Sequence, residues 1–422
     1  MFEHALPGWS RVNLTDLGAY INGYAFKPED WSEHGLPIVR IAQITGSSAD
    51  CDYYQGRLSE DVKIDSGDII FSWSGTLCVV RWNGGPAWLN QHLFKVRPAE
   101  GVSHRLLYHV LFHAVAEMDK SAHGSTMKHI KRGELKRYQI LFPDCRKEQE
   151  KIGRVLDTLD TQIHKTEALI TKLEKVKEGL LHDLLTRGID ENGRLRPSPE
   201  QAPELYKESP LGLIPREWSC HALTEAADVQ RGRFTHRPRN DPAFYGGEYP
   251  FIQTGDVAAA KGGGVSYFSQ TLSRLGTTAS TLFPAQTIAI TIAANIADTA
   301  ILGRPMYFPD SVVGAVVNDS ANVRYIELCI RREKRSLDAR APQSAQKNIN
   351  LQDLRPLLIP FPSQREQNRI AESYEAFMGR LLAERQQMTK LKSEKIALMD
   401  DLLTGRVRVT SLLEQAQGTT PA

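Results

Sequence analysis

The stretch Ser344-x-x-Lys347-x-Ile349-x4-Leu354-x6-Phe361-Pro362 repeats an earlier one, Ser125-x-x-Lys128-x-Ile130-x4-Leu135-x6-Phe142-Pro143. Each copy runs into a Glu-Gln pair, Glu148-Gln149 and Glu366-Gln367, and then into a long heptad-patterned segment. The segments close alike, on Leu184-Leu185-Thr186-Arg187-Gly188 and Leu402-Leu403-Thr404-Gly405-Arg406. The copies lie 219 residues apart at the first motif and 218 apart at the last, in a chain of 422. A period of half the chain is far too long for a solenoid repeat. The chain therefore reads as a tandem duplication of one module, a globular part joined to a helix. Two like modules on one frame suit a target that offers two sites at a fixed separation.

The helical segments carry the clearest pattern. In the first, Ile152, Leu159, Thr166, Leu173 and Leu180 share one heptad position, and Leu156, Ile163, Ile170, Lys177 and Leu184 share the other. In the second, Ile370, Phe377, Glu384, Leu391 and Leu398 match the first position, and Tyr374, Leu381, Met388, Lys395 and Leu402 the other. Even the polar interruptions correspond, Thr166 with Glu384 and Lys177 with Lys395. Five heptads with two apolar positions each form a coiled-coil seam, on a helix about 50 Å long at 1.5 Å per residue. Neither helix can bury its stripe alone. The partner expected is the other helix, antiparallel, so that a pseudo-two-fold repeat separates two globular domains. Fully burying a Leu or Ile contributes about 1.5–3 kcal/mol, which outweighs two polar interruptions whose role is register and polarity. The alternative is a coil between two chains. Residues 189–213 hold Pro197, Pro199, Pro203 and Pro210 and read as an extended linker leading the chain back along the coil.

The globular parts open alike, on Leu6-Pro7-Gly8-Trp9-Ser10 and Ile214-Pro215-Arg216-Glu217-Trp218-Ser219, and then diverge almost completely. Both are rich in short β-type runs bounded by turn formers, such as Asp68–Phe71 after Ser66-Gly67 and Thr287–Ile292 after Phe283-Pro284. A helix is expected over Arg105–Met118. The fold class is thus mixed α/β (α+β): two recognition domains in tandem, at 1–145 and 214–363, helices at 146–188 and 364–404, a linker at 189–213 and a tail at 405–422. Similar edges around a dissimilar middle point to one scaffold carrying two different recognition surfaces.

Composition bounds the class. Apolar residues make up 41% and charged residues 24%, as in ordinary globular proteins. A net charge of +2 does not by itself announce a nucleic-acid binder, but the cations cluster. One group is Lys128, Lys131, Arg132, Lys136 and Arg137. A second is Arg331, Arg332, Lys334, Arg335, Arg340 and Lys347. A third, Arg231, Arg233, Arg237 and Arg239, is interleaved with Phe234 and His236. Any one of these could be a solvated face; recurrence of the first two in both copies argues against that. The five cysteines, Cys51, Cys78, Cys145, Cys220 and Cys329, have no zinc-ligand spacing and fit a reducing cytoplasm. Residues 1–7 lack the features of a signal peptide. The apolar run 282–303 is broken by Asn295 and Asp298 and reads as buried strands rather than a membrane span.

No phosphate loop, GxGxxG, HExxH or Asn/Asp-Pro-Pro-aromatic tetrapeptide is found, so no catalytic residue is assigned. His109, His113 and Glu117 line one face of the expected helix. A helix face of this kind more often serves its own domain than a metal, and no metal ligand is assigned.

The order of these motifs, repeated twice over nearly the whole chain, resembles the specificity (S) subunit of type I restriction-modification systems. Ser66-Gly67-Asp68-Ile69-Ile70-Phe71-Ser72-Trp73-Ser74-Gly75-Thr76 also resembles that family's Gly-Asp-Ile-Leu-Ile-Ser-x-x-Gly-Thr segment, from which Pro284–Ala293 of the second copy departs. The resemblance implies a non-catalytic reader of double-stranded DNA. Each variable domain would read one half of a split, asymmetric site, and the helices would set the gap and dock two modification subunits. No cofactor would bind this chain. S-adenosylmethionine would sit on the modification subunit, which methylates adenine, and ATP and Mg2+ on restriction subunits. By their chemistry Ser125, Thr126, Lys128, Ser344 and Lys347 would contact phosphates, unless the lysines are salt-bridged within the fold. Base readout would fall to Trp73, Ser74 and Thr76 in the first domain and Arg231, Arg233 and Asn295 in the second, because Arg can grip guanine and Asn adenine. The competing reading of each is a turn or solvent residue. A single-chain restriction enzyme would need motifs that are absent. A coiled-coil adaptor binding protein rather than DNA would show no salt-dependent DNA affinity.

Overall fold

The computed structural model describes residues 6–121, 135–293, 295–340 and 348–410. It divides into two compact units, Met1–Ala168 with Arg385–Ala422, and Leu169–Glu384.

In the first unit ten strands precede the long helix. They are β1 (Trp9–Asn13), β2 (Gly18–Asn22), β3 (Leu36–Val39), β4 (Tyr53–Tyr54), β5 (Lys63–Ile64), β6 (Ile69–Ser72), β7 (Cys78–Arg81), β8 (Ala87–Leu89), β9 (Leu93–Pro98) and β10 (Gln139–Pro143). Helix α1 (His104–Ser121) covers the expected helix, and α2 (Arg146–Thr186) the first heptad segment. One four-stranded sheet runs β2-β9-β6-β7 and a second β4-β3-β8-β5, with β3 and β8 parallel. The opening and the Phe-Pro motif meet as a two-stranded ribbon, Trp9 opposite Pro143 and Ser10 opposite Phe142.

The second unit repeats this plan. Its strands are β11 (Tyr206–Lys207), β12 (Ile214–Pro215), β13 (Ser219–Ala222), β14 (Ala227–Arg231), β15 (Tyr245–Phe251), β16 (Gln270–Leu272), β17 (Thr281–Phe283), β18 (Ile288–Thr291), β19 (Thr299–Ile301), β20 (Met306–Phe308), β21 (Val312–Val317) and β22 (Leu358–Phe361). The sheets run β14-β21-β18-β19 and β16-β15-β20-β17, with β15 and β20 parallel, and β13 pairs β22. Strand for strand this is the order of the first unit. Helices α3 (Val323–Arg332) and α4 (Lys334–Arg340) follow where α1 stands in the first copy, and α5 (Gln364–Leu403) is the second heptad segment. The middles that share almost no sequence therefore share a topology. Central strands β6 and β18 are buried along their whole length, which is why they read as continuous apolar runs and not as alternating ones.

Both cores have the same construction. In the first, Ile69, Phe71 and Phe94 of the sheet pack with Leu106, Leu107 and Val110 of α1, Ile152 and Leu156 of α2, and Met399 and Leu402 of α5. In the second, Ile288, Ile290 and Val313 pack with Tyr325, Ile326 and Ile330 of α3, Leu184 and Leu185 of α2, and Ile370 and Tyr374 of α5. Of the seam residues, Ile152, Leu156, Ile163, Ile170, Leu173, Leu184, Ile370, Tyr374, Leu381, Leu391 and Leu402 are buried, and Leu159, Leu180, Phe377, Met388 and Leu398 are half-buried. Within the first unit the helices run antiparallel: Asp160 pairs with Lys395, and Glu167 with Lys392 at 2.8 Å. The polar interruption Lys395 is thus ion-paired, with its ammonium 4.6 Å from the centre of the Phe112 ring.

The segment 189–213 departs from the extended linker expected. It folds as part of the second unit: Ile189 bridges Leu195, Ile189 and Tyr206 are buried, and β11 pairs β12. The end of α2 already lies in the same core as Trp218, so the chain has only a short gap to close.

Candidate nucleic-acid interface

One end of the β2-β9-β6-β7 sheet and the matching end of β14-β21-β18-β19 carry the loops. In the second unit the end of β14, the turn before β21 and the β18–β19 loop meet there. Arg231 lies opposite Val313, Thr291 lies opposite Val312, and the Ile292 N–H donates to the Ser311 carbonyl at 3.1 Å. In the first unit Asn22, the Asn90–His92 turn and the Trp73–Leu77 loop occupy the same places. The backbone frames share two bonds. Gly23 N–H donates to Leu93 O at 3.0 Å and Gly232 N–H to Val312 O at 2.9 Å. Leu93 N–H donates to Asn90 O at 3.0 Å and Val312 N–H to Pro309 O at 3.2 Å. A Cβ on Gly23 would lie 2.2 Å from Leu89 O, and one on Gly232 2.3 Å from Pro309 O, so each turn admits only glycine.

The candidate base-reading residues Trp73, Ser74, Thr76, Arg231, Arg233 and Asn295 fall on this end, with different fates. Trp73 is half-buried, 6.0 Å from the His92 ring and 5.9 Å from that of Phe94, and Ser74 is buried, its carbonyl accepting from the Ser72 hydroxyl. Both hold the loop more than they face solvent; Thr76, after Gly75 at φ 69°, is exposed. Asn295 is exposed, and its carbonyl accepts from the Thr291 hydroxyl, which fixes the β18–β19 loop. Arg231 is exposed but tied through Nε to Asp310 O at 2.6 Å, Arg237 and Arg239 reach the Asp310 carboxylate, and Arg233 stands exposed. Ser125, Thr126, Lys128, Ser344 and Lys347 lie outside the described residues. The residue that follows Lys347 bridges the reading end: Asn348 pairs with Ala293, and Ile349 N–H donates to Ile292 O at 3.0 Å. Sequence reading missed Tyr24, Gln91 and His92, which share this end of the first unit. The signal for them was the glycine before Tyr24, matching the one before Arg233.

The second basic cluster needs correction at Arg331. Its guanidinium is no surface cation: with Arg324 it neutralises Glu327, which is fully buried and also accepts from Thr299 at 2.5 Å. Lys334 is likewise paired, to Asp298, whereas Arg335 is exposed.

The Glu-Gln pairs hold each domain to its helix. Gln149 accepts from Ser103 N–H at 2.8 Å and donates to Pro143 O at 2.9 Å; Gln367 accepts from Asn322 N–H at 2.9 Å and donates to Pro362 O at 3.0 Å. Glu148 takes both guanidinium arms of Arg408, at 2.8 and 3.0 Å. Glu366 takes Arg196, Trp218 Nε1–H at 3.1 Å and Ile189 N–H at 3.0 Å. The two arginines sit in Gly193-Arg194-Leu195-Arg196 and Gly405-Arg406-Val407-Arg408, a second likeness between the copies.

The helix face suspected of metal binding is rearranged. His109 is buried and does not meet His113 and Glu117 but Asp157, whose Oδ1 accepts from Nε2–H at 2.9 Å, with Asp160 beyond. Burial lowers the pKa of His109. Burial alone would raise the Asp157 carboxyl, but the His109 hydrogen bond and the Arg81 and Arg105 guanidiniums outweigh it and hold that carboxyl well below the usual range. Arg81, Arg105 and Lys395 already neutralise both carboxylates, so the cluster is built as an ion-pair network and leaves little room for a metal's charge. Among the described residues no helix is long and apolar enough to cross a membrane.

Comparison with known proteins agrees with this architecture. The putative type I restriction enzyme MjaX specificity subunit of Methanocaldococcus jannaschii is 23% identical over 419 residues, 95% of this chain and 94% of that protein. The type I restriction enzyme EcoBI specificity subunit of Escherichia coli is 26% identical over 230 residues, 53% of this chain, which spans 47% of that relative. In fold the chain is similar to the S subunit of the type I restriction-modification system from M. genitalium, with a TM-score of 0.58, 13% identity and coverage of 96% and 98% of the two chains. It is similar also to the HsdS subunit from Thermoanaerobacter tengcongensis, with a TM-score of 0.51, 17% identity and coverage of 95% and 98%. The model of the type I restriction modification DNA specificity domain matches twice, at residues 7–175 and 215–393, and the chain belongs to that family.

Proposed function

We propose that this chain is the non-catalytic, sequence-reading subunit of a type I restriction-modification complex. Each domain reads one half of a split, asymmetric double-stranded DNA site with side chains at the loop-bearing end of its first sheet. Ser125, Thr126, Lys128, Ser344 and Lys347 grip phosphates and fix register without reading sequence. One observation carries the reading: the same strand order and the same hydrogen-bond frame present two different residue sets at the same place. Identical readers would suit a repeated or palindromic site, and unlike readers suit a two-part asymmetric one. The paired helices set the gap between half-sites and dock two modification subunits. Chemistry comes from the partners, with S-adenosylmethionine on the modification subunits and ATP and Mg2+ on restriction subunits, in the cytoplasm where the DNA is.

The experiment is a domain exchange. Residues 1–145 are replaced by the corresponding domain of a relative, and methylated adenines are mapped in cells that also make the modification subunit. One half of the methylated site should change and the other stay. A swap that alters both halves would refute independent reading, and a complex that shows no salt-dependent DNA binding would favour a protein-binding adaptor instead.

A further inference from the structure

The residue that follows the obligatory glycine is Tyr24 in one domain and Arg233 in the other. Both sit on the same backbone frame, because Gly23 and Gly232 close equivalent turns in the same way. Both are exposed, Tyr24 by 40%. Tyr24 is held by its own N–H to Leu89 O at 2.8 Å and by an edge contact to Phe26, ring centres 5.0 Å apart, so its ring has little freedom to lose on binding. Around Arg233 the neighbouring arginines are engaged: Arg231 with the Asp310 carbonyl, Arg237 and Arg239 with the Asp310 carboxylate. Arg233 makes no hydrogen bond or ion pair among the described residues, and its five donors face solvent at the reading end.

We propose that this single scaffold position is specificity-determining in both domains: Arg233 reads a guanine in the second half-site, and Tyr24 reads the corresponding place in the first half-site. A guanidinium fork matches O6 and N7 of guanine in the major groove, whereas a tyrosine ring offers an apolar edge that suits a thymine methyl. Asp310 supports the assignment by engaging the flanking arginines, Arg231 through its carbonyl and Arg237 and Arg239 through its carboxylate, which leaves Arg233 positioned for a base while its neighbours hold the turn. The inference rests on the DNA-reading function above and adds to it which side chain addresses which base.

The test uses the full chain assembled with its modification subunits and a library of sites randomised in both halves. Arg233→Ala should erase the preference for guanine at one position of one half-site, on the order of tenfold to a hundredfold, with the other half unchanged. Arg233→Lys, which keeps the charge and loses the fork, should not restore that preference. Tyr24→Arg should install a guanine preference at one position of the opposite half-site. Tyr24→Phe, which keeps the ring, should leave the original choice in place, whereas Tyr24→Ala, which removes it, should erase that choice in the first half-site alone; an unchanged preference in Tyr24→Ala would overturn the role of Tyr24 even should Tyr24→Arg fail to assemble. A uniform loss of affinity in Arg233→Ala, with the salt slope reduced by about 1, would mean a phosphate contact and overturn the inference while the function stands. Sequence-independent binding by the unaltered complex would overturn the function itself.

Discussion

The heads of the two long helices and the loop-bearing ends of the two sheets diverged by different rules. At the helix heads the copies agree down to side-chain hydrogen bonds, the glutamine bridging a helix N-terminus and a proline carbonyl, the glutamate taking an arginine. At the sheet ends they agree only in backbone, and nearly every exposed side chain differs. The difference is one of solvent. A buried side chain that completes backbone donors and acceptors cannot change without leaving them unpaired, at about 1–3 kcal/mol each. A side chain facing water meets no such cost, so it can be remade for a new target.

At the helix heads the agreement stops at the surroundings of the two glutamates. Glu366 has four donors around it, from Arg196, Trp218 and Ile189, whereas Glu148 has only the arms of Arg408, and the Trp9 Nε1–H has no partner among the described residues. Glu366→Ala should therefore destabilise the second unit by about 3–5 kcal/mol, and Glu148→Ala the first by clearly less, read as lost amide-exchange protection at the helix heads. Equal losses would mean that the extra donors contribute nothing.

The glycine turns should behave alike. Gly23→Ala and Gly232→Ala each force a Cβ into a backbone carbonyl, so each should cost about 1–3 kcal/mol in its own unit by denaturant unfolding. A large cost in one and none in the other would break the equivalence on which the shared reading position depends.

Acid should separate the units. Burial lowers the pKa of His109, and of His104 together with nearby Arg81. As pH falls below the ordinary histidine value, the unfolded chain takes up protons that the folded first unit refuses, and its stability drops. The slope is at most about 1.4 kcal/mol per pH unit for each group. Asp157 does not act in this window, because the stability from its lowered pKa is fully present above the ordinary aspartate value and is lost only as pH falls below that value. His109 is the one buried histidine among the described residues, so amide exchange at pH 7 and pH 5.5 should show the first unit weakening more than the second. Equal weakening would dissociate the effect from His109.

The smallest effect is expected where the copies are most alike in sequence. Lys128→Ala and Lys347→Ala should each reduce the salt slope of DNA binding by about 1 and leave base preference unchanged. A changed preference in either would move that lysine from phosphate to base.

The long helices were legible because a heptad pattern repeated five times is a long-range signal, and every seam residue from Ile152 to Leu402 is buried or half-buried as the pattern required. The sheets were not. Their strands run two to seven residues, their parallel pairs join segments with no local signal, and the copies share the order without sharing the letters. At the reading end, Arg233, Asn295 and Thr76 were recognisable as exposed polar residues in turn-rich runs. Trp73 and Ser74 turned out to hold the loop, and Arg331 to balance a buried glutamate, because sequence does not show which neighbour folds over a side chain. Tyr24 stayed hidden until the two glycine turns could be superposed in register.

The composition of the first unit also sets an order of events on the ribosome. Its core takes Trp9 from the start of the chain and Met399, Leu402 and Val409 from near the end, while residues 169–384 belong wholly to the second unit. At roughly 5–20 residues per second, about 10–40 s pass between the emergence of the two parts. The second unit can close as soon as Glu384 is free. The domain translated first is therefore completed last, and until then Ile152 and Leu156 pack on Leu106 and Leu107 without Met399, Leu402 and Val409, a long-range closure of the kind that slows folding.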